Sequence, residues 1–207
     1  MEFASADPSV VRSIKQRELL NAWLRAATRH RPLPLIDDFH PNRVSDELPD
    51  MMGFDVEGEG EGARFLITQA GATLSTTYGS DHLSPAERIN RYLDDALGPE
   101  RYARVIALYS VCLKHRRPVY SISTVQDADN KDVSYERLLI PFGRGDAVEQ
   151  IVGSYKSISI EGGFKINNLM GLRPKAVPVI LVRAIIDRDF VPHQASRQPS
   201  DEVVELD

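Results

Sequence analysis

The sequence predicts an α+β domain in which helices cover an antiparallel sheet of five strands. Two β-branched and aromatic runs, residues 53–57 and 64–69, come first and are joined by a glycine-rich hairpin loop. A block of helical periodicity follows over residues 71–117, and three more strand-like runs fill residues 119–160. Strands and helices that segregate along a chain are typical of helices packed on one face of an antiparallel sheet. We therefore expect a helical block inserted after the second strand.

The composition is that of a globular protein of one domain with extensions. The chain has 207 residues, of which 42% are hydrophobic and 27% charged, and a chain of this length buries roughly 70% of its unfolded surface. Its single cysteine excludes an intramolecular disulfide and fits a reducing compartment. A net charge of −5 argues against nucleic acid as a partner. With neither a signal sequence nor a membrane span in view, we expect a cytoplasmic protein.

A helix is predicted at the N-terminus, over residues 1–30. Asp7 and Pro8 form a helix start, because Asp caps free amides and Pro at the first helical position loses no needed donor. The helix is expected to end near His30. Its apolar stripe must cover a surface of its own domain or of a second subunit, which predicts a lid or a helix of a homodimer interface. The interface candidates are Leu20, Trp23, Leu24 and Ala27.

The next segment is predicted to be a loop with a short helical turn, over residues 35–52. Asp37, Asp38 and His40 lie close together there. Two carboxylates beside an imidazole could bind a metal or perform acid/base chemistry. The simpler interpretation is that Asp38 caps a turn near Pro41, and we favour it.

Three helices are predicted in the central block. The first covers residues 72–78, and the second starts at Ser84, which is followed by Pro and by Glu at the third position. The third and longest begins near Pro99 and ends in the basic turn of residues 114–117, before Pro118. Most basic helix ends are simply solvated, although this one could contact an acidic partner.

The C-terminal extension, residues 164–207, contains one apolar segment over residues 177–186 and a polar tail from Gln194. The apolar segment could add an edge strand or pack as a helix, within the chain or across a dimer. Pro178 argues against a central strand, because proline cannot donate to the ladder.

A set of short motifs occurs, one after another, along residues 23–160. Its members are Trp23, Leu24, Arg25, Leu33, Pro34, Asp38, Phe39, Pro41, Leu48, Pro49, Phe65, Leu66, Ile67, Gly71, Tyr78, Gly79, Ser80, Asp81 and, above all, the strand of residues 135–142. With the order of strands and helices, the set resembles the bacterial proteins in which a solitary PAS domain makes up most of the chain. The resemblance assigns residues 31–163 to a PAS-like domain.

The resemblance implies a sensory or interaction module for signal transduction and not an enzyme. PAS domains hold small ligands or cofactors between sheet and helices, or use the outer face of the sheet to dimerise and to contact histidine kinases. A mostly apolar ligand with one polar group would suit such a pocket, although the same residues could simply fill the core. The pocket candidates are Phe65, Ile67, Tyr78, Tyr92, Tyr109, Tyr120, Leu138, Ile140, Phe142 and Tyr155.

The cofactor, if there is one, is not identified by the sequence. Haem would need an axial ligand, for which His82 and His115 are the candidates in the helical block, and neither position favours it. Cys112 lies too late in the long helix for photoactive flavin chemistry, and the histidines show no metal-ligand spacing. Two alternatives remain. One is an enzyme of a cone-shaped α+β type that uses Asp38 and His40, and the other is a structural interaction domain with a filled core.

Overall fold

A computed structural model of the chain describes residues 2–28, 30–42, 44–74, 85–126, 132–159 and 178–189. Within these residues, seven strands form one mixed sheet in the order β1-β7-β4-β5-β6-β2-β3. The strands are β1 (Ala4–Ala6), β2 (Met51–Glu57), β3 (Arg64–Ala70), β4 (Val119–Gln126), β5 (Asp132–Arg144), β6 (Ala147–Ser159) and β7 (Val179–Ile186). The helix predicted over residues 72–78, the cap at Ser84 and the tail from Gln194 fall wholly or partly outside the described residues.

The α+β class, the first two strands and the three-stranded meander are confirmed, but the prediction of five antiparallel strands is wrong. The sheet has two further strands, and β1 runs parallel to β7 whereas the other neighbours are antiparallel. The apolar segment explains the difference, because β7 pairs with β4 inside the chain. Pro178 directly precedes β7, where its missing amide removes no ladder bond.

The N-terminal helix, α1 (Ile14–Ala26), begins later than predicted. Asp7 does cap a turn, accepting a hydrogen bond of 2.7 Å from the amide of Ser9, but that turn is a short 3-10 helix. The chain then extends, and Ser13 becomes the N-cap of α1 through its bond with the amide of Gln16. Two capping residues therefore lie close together, and the second starts the α-helix.

The central block contains α2 (Pro85–Arg88), α3 (Leu93–Leu97) and α4 (Pro99–His115). The single helix predicted from Ser84 is divided, because Asn90 adopts a positive φ of 63° and its amide bonds to the carbonyl of Ile67 on β3. The long helix α4 is confirmed. It ends at His115, and the next residue, Arg116, adopts the left-handed conformation two residues before Pro118. None of the helices among the described residues is long and apolar enough to cross a membrane.

Helices cover both faces of the sheet, so the prediction that they lie on one face is wrong. The face against α1, called here the α1 face, buries Leu138 and Ile140 of β5. The opposite face, called the α4 face, buries Leu139 against α3 and α4. Successive side chains of a strand point to opposite faces. A strand with no polar alternation over residues 138–142 is therefore one that is covered on both sides.

Candidate functional site

The sheet separates the predicted pocket residues into two groups. Phe65, Ile67, Tyr109 and Tyr155 lie on the α4 face, whereas Tyr120, Leu138, Ile140 and Phe142 lie on the α1 face. One pocket cannot contain both groups. The two remaining candidates belong to neither group, since Tyr78 lies outside the described residues and Tyr92 lies at the margin of β3.

Tyr92 is held at that margin by surface contacts. Its hydroxyl donates to Oε2 of Glu57 over 2.7 Å, and the guanidinium of Arg64 lies 3.6 Å from its ring centroid. The hydrogen bond to Glu57 is the main reason that the pKa of Tyr92 is raised. Tyr92 therefore links the helical block to the first hairpin.

A buried pair of tyrosines forms the centre of the α4 face. The hydroxyl oxygens of Tyr109 on α4 and Tyr155 on β6 lie 2.8 Å apart. The ring of Tyr109 packs against Phe54 and Phe65, with centroids 5.3 and 4.9 Å away. A Cβ at Gly153 would lie 2.6 Å from the Tyr155 hydroxyl oxygen, so only glycine leaves room for this side chain. Burial raises the pKa of Tyr155 well above its ordinary value, and its hydroxyl stays neutral.

Arg137 brings a buried charge to the same face. Its exposed fraction is 8%, and its guanidinium carbon lies 5.6 Å from the ring centroid of Tyr155. Across the sheet it stands between Ser121 on β4 and Tyr155 on β6. Arg137 was not among the residues predicted for the site. The available signal was a charge inside an otherwise apolar strand, since a buried charge is costly unless it is compensated.

On the α1 face, a buried carboxylate holds the start of α1. Glu136 is 2% exposed, and its Oε2 accepts hydrogen bonds from the Tyr120 hydroxyl over 2.7 Å and from the Ser13 amide over 3.1 Å. The Tyr120 hydroxyl in turn accepts from the amide of Arg12. Burial is the main cause that raises the pKa of Tyr120. Tyr120, predicted to line a pocket, is therefore an anchor for the N-terminal segment.

The rest of α1 is also fixed to the sheet. The side-chain amide of Gln16 donates to the carbonyl of Ser154 over 3.0 Å, and the indole of Trp23 donates to the carbonyl of Pro141 over 2.7 Å. The predicted interface stripe lies in this contact. Leu20, Trp23 and Ala27 are buried and Leu24 is half-buried, all against the chain's own α1 face. Of the two surfaces that the stripe could cover, it covers its own domain.

A cluster of ion pairs lies between α1, β6 and the turn before β2. Lys156 on β6 lies 2.6 Å from Oε2 of Glu47 and 2.5 Å from Oδ2 of Asp50. Lys15 on α1 lies 2.9 Å from Oε1 of the same Glu47, and its hydrogen bond to Glu47 raises the pKa of Lys15. Glu47 is 3% exposed, so this cluster ties α1, β6 and the turn before β2 together.

The residues of the alternative enzyme hypothesis lie on an exposed loop. Asp38 forms an ion pair of 2.6 Å with Arg31, and both side chains are more than 40% exposed. His40 is exposed as well. Among the described residues, no group of three or more His, Cys, Asp and Glu side chains is placed to hold a metal ion.

Two further candidates from the sequence lie on α4. Cys112 is completely buried, its thiol donates to the carbonyl of Arg117 over 3.5 Å, and burial raises its pKa, so the thiol is shielded in the folded chain. His115 is exposed, and its pKa is lowered, first by partial desolvation and then by Lys114 and Arg117. Both positions are compatible with structural roles.

The basic turn after α4 lines a groove of about 680 Å³ at the C-terminal ends of α1 and α4. Its arginines have partners in the chain. Arg116 is paired with Asp146, Arg117 with Asp187 over 2.6 Å, and Arg188 donates to the carbonyl of Ala27. The groove therefore offers no net positive surface for an acidic partner.

Both faces bury polar groups beneath a helix. On the α1 face they bond to the N-terminal segment and α1, whereas on the α4 face Arg137, Tyr109 and Tyr155 lie together between the sheet and α4. Comparison with known proteins does not identify the chain: a scan against protein-family models finds no family that matches, and a search of the curated proteins finds no match. The chemistry of the α4 face is therefore the basis for the function proposed here.

Proposed function

We propose that the chain is a PAS-type sensory module that binds a small molecule between its sheet and its helical block, and signals by protein contact without catalysis. The order of the elements supports this. Five of the seven strands lie side by side in the order β4-β5-β6-β2-β3, all neighbours antiparallel, and the helical block comes between β3 and β4 in the sequence. The resemblance in the motifs of residues 23–160 implies this succession of two strands, helices and three strands.

The observation that carries the proposal is the cluster of Arg137, Tyr109 and Tyr155. All three side chains are at most 8% exposed, and they lie between β5, β6 and α4. A core of aliphatic side chains would fill the same space without the cost of removing a guanidinium and two hydroxyls from water. Polar groups inside an apolar site fix the orientation of a ligand and select its chemistry.

Signalling would use the exposed part of β7. Among the described residues, β1 pairs only with residues 184–186 of β7, whereas Val179 and Leu181 at the other end are 63% and 46% exposed. An exposed apolar strand is a template for another chain. We place the contact with a second copy or with a signalling protein, such as a histidine kinase, at this end of β7.

The proposal is tested by native mass spectrometry of the protein as purified, together with its denatured mass and an absorption spectrum. We expect an excess mass in the native state that is lost on denaturation. The variant Arg137→Met should carry at least tenfold less of it, because the ligand loses its charged contact. Arg64→Met is the matched control, since Arg64 pairs with Asp94 at the surface and should not affect retention.

A second measurement covers the case in which the ligand is lost during purification. The purified protein is incubated with the small-molecule fraction of a cell extract, and alkylation of the buried Cys112 is followed. Binding on the α4 face should slow the labelling. If the native mass shows no excess, and if the extract leaves the labelling rate of the wild-type chain unchanged, the proposed ligand site is wrong.

A further inference from the structure

A row of side chains across the α4 face has a gap at Gly153. The strand register aligns this residue of β6 with Leu139 on β5 and with Met52 on β2. Directly paired residues of neighbouring strands share a face, and Leu139 and Met52 both belong to the packing of the α4 face. The row continues on its two sides with the apolar residues Ile185, Val119 and Ala70. Of these six aligned residues, Gly153 alone has no side chain.

The ring of Tyr155 fills this gap. A Cβ on Gly153 would lie 2.6 Å from the Tyr155 hydroxyl oxygen and 2.9 Å from two carbons of its ring. The side chain therefore bends back along its own strand onto the glycine, whereas strand side chains commonly stand roughly perpendicular to the sheet. Protein interiors are close-packed. A ring from the adjacent row thus occupies the space that the row of Gly153 leaves empty.

The space that the ring occupies, called here the slot, has apolar sides and one polar end. The backbone of Gly153 is its floor, and Leu139 and Met52 flank it in the register. The hydroxyl oxygen of Tyr109 on α4 marks its far end, 2.8 Å from that of Tyr155. The slot therefore fits a flat ring with one hydrogen-bonding group at its edge, as the phenol of Tyr155 is.

Tyr155 has a second place available on the same face. In the register it is paired with Arg137, whose guanidinium carbon lies 5.6 Å from the centroid of its ring. Rotation about the Cα–Cβ bond to another staggered rotamer carries a side chain to a different neighbour. A guanidinium within about 6 Å of an aromatic ring attracts it. A Tyr155 ring that leaves Gly153 and turns toward Arg137 would thus keep a favourable contact.

We propose that the Tyr155 ring blocks the slot in the absence of ligand, and that the ligand displaces it and takes its place over Gly153. This inference rests on the ligand site proposed above and assigns its chemistry. The ligand is an aromatic ring that carries a hydroxyl group at its edge. That hydroxyl bonds to the Tyr109 hydroxyl, as the phenol of Tyr155 does in this structure, and Leu139 and Met52 contact the ring.

The test is a calorimetric titration and thermal shift with p-cresol and toluene, two rings of which only the first carries a hydroxyl. Tyr155→Ala empties the slot, and it should bind p-cresol about tenfold more tightly than the wild type, because no ring has to be displaced. Its melting temperature should rise with p-cresol. Toluene should bind to this variant about tenfold more weakly than p-cresol, because it cannot bond to the Tyr109 hydroxyl.

Further variants locate p-cresol in the slot. Gly153→Ala, combined with Tyr155→Ala, puts a methyl group on the floor of the slot and should weaken p-cresol binding about tenfold. Leu138→Ala is the control, since it opens a cavity on the α1 face and should show no preference for p-cresol over toluene. Tyr155→Phe serves if Tyr155→Ala does not fold. Its ring stays but loses the bond to Tyr109, so p-cresol should bind about fivefold more tightly than to the wild type.

The outcomes separate this inference from the proposed function. If Tyr155 blocks the slot, Tyr155→Ala should retain more of the excess native mass than the wild type does. If Tyr155 is instead a fixed contact of the ligand, the variant retains less, which overturns the inference and leaves the ligand site in place. Equal binding of p-cresol to the wild type, Tyr155→Ala and Tyr155→Phe would also overturn it. The excess mass of the wild-type chain tests the ligand site itself, so the two proposals can fail separately.

Discussion

The two faces of the sheet use buried polar groups in different ways. On the α1 face, Glu136 accepts from Tyr120 and from the Ser13 amide, and these bonds tie the N-terminal segment to the sheet. On the α4 face, Arg137 stands between two neutral side chains, Ser121 and Tyr155. Both charges come from consecutive residues of one strand, and alternation alone sends them to opposite faces.

A single strand thus supplies a carboxylate that anchors the N-terminal segment on one side and, in the function proposed above, a cation for ligand recognition on the other. The α1 face is covered by a helix whose hydrogen-bond donors bond to Glu136, Ser154 and Pro141 of the sheet. On the α4 face, Tyr109 of the helix and Tyr155 of the sheet are joined through their hydroxyls, and the guanidinium of Arg137 lies beside Tyr155. Stability should therefore depend more strongly on polar groups of the α1 face, and binding on those of the α4 face.

The largest effects are expected from a matched pair of truncations, Leu138→Ala and Leu139→Ala. Both side chains are fully buried and adjacent, on the α1 and α4 faces respectively. Each should lower the free energy of unfolding by about 2–5 kcal/mol, through lost burial and a residual cavity. Chemical denaturation monitored by circular dichroism measures both values.

Two native reporters distinguish the faces. Trp23, the only tryptophan, lies on the α1 face, and Cys112, the only cysteine, lies on the α4 face. Below the unfolding midpoint, Leu138→Ala should change the tryptophan emission, and Leu139→Ala should speed alkylation of the thiol. If both variants change both reporters equally, the two faces do not respond independently and the comparison fails.

A smaller effect is expected from Glu136→Gln, which keeps the shape of the side chain and removes its charge. Tyr120 and the Ser13 amide both donate to this carboxylate, and hydrogen bonds to a charged acceptor are the stronger ones. The free energy of unfolding should fall by about 1–3 kcal/mol, with a change in the emission of Trp23.

The control for this variant is Glu149→Gln on the same hairpin. Glu149 is exposed, and such a surface change is expected to stay within about 0.5 kcal/mol of the wild type. Equal effects of the two substitutions would mean that the buried carboxylate does not hold α1.

The sequence predicted five of the seven strands and the long helix, because their signals are local. Periodicity, Pro99 and Pro118 set the limits of α4, and turn formers bounded β5. The covering of both sheet faces by helices was not predicted, although the unbroken apolar run of residues 138–142 indicates it. An unbroken apolar run is a sign of two-sided burial, and it was used only to predict a buried strand.

Long-range pairing and the chemistry of the site were harder to predict. Residues 179–186 could have been a strand or a helix, and only their register with β4 decides. Tyr120 and Tyr109 lie on opposite faces of the sheet. This depends on which face each element packs against, a tertiary property that cannot be predicted from composition. Arg183 and Arg137 lie 46 positions apart in the chain, and only the pairing of β7 with β4 brings them into one row across the sheet, with Ser121 between them.

The smallest expected effect is a change in the pH dependence of stability, and it probes the α4 face. Burial raises the pKa of the Cys112 thiol far above its ordinary value of 9.0, so the folded state keeps this proton where the unfolded state releases it. Stability from this group is complete below pH 9 and is lost as the pH rises above it. Between about pH 8 and pH 10 the loss should be about 1.4 kcal/mol.

The measurement is urea denaturation at both pH values for the wild type and for Cys112→Ala. The substitution leaves a cavity whose cost does not depend on pH, so the difference between the two slopes isolates the thiol. Tyr120 and Tyr155 also have raised pKa values, but they contribute equally to both proteins. Parallel pH profiles would mean that the thiol ionises in the folded state, and hence that water reaches the core beneath α4. A ligand on that face should then protect the thiol, which would connect the stability of the α4 face to its proposed binding role.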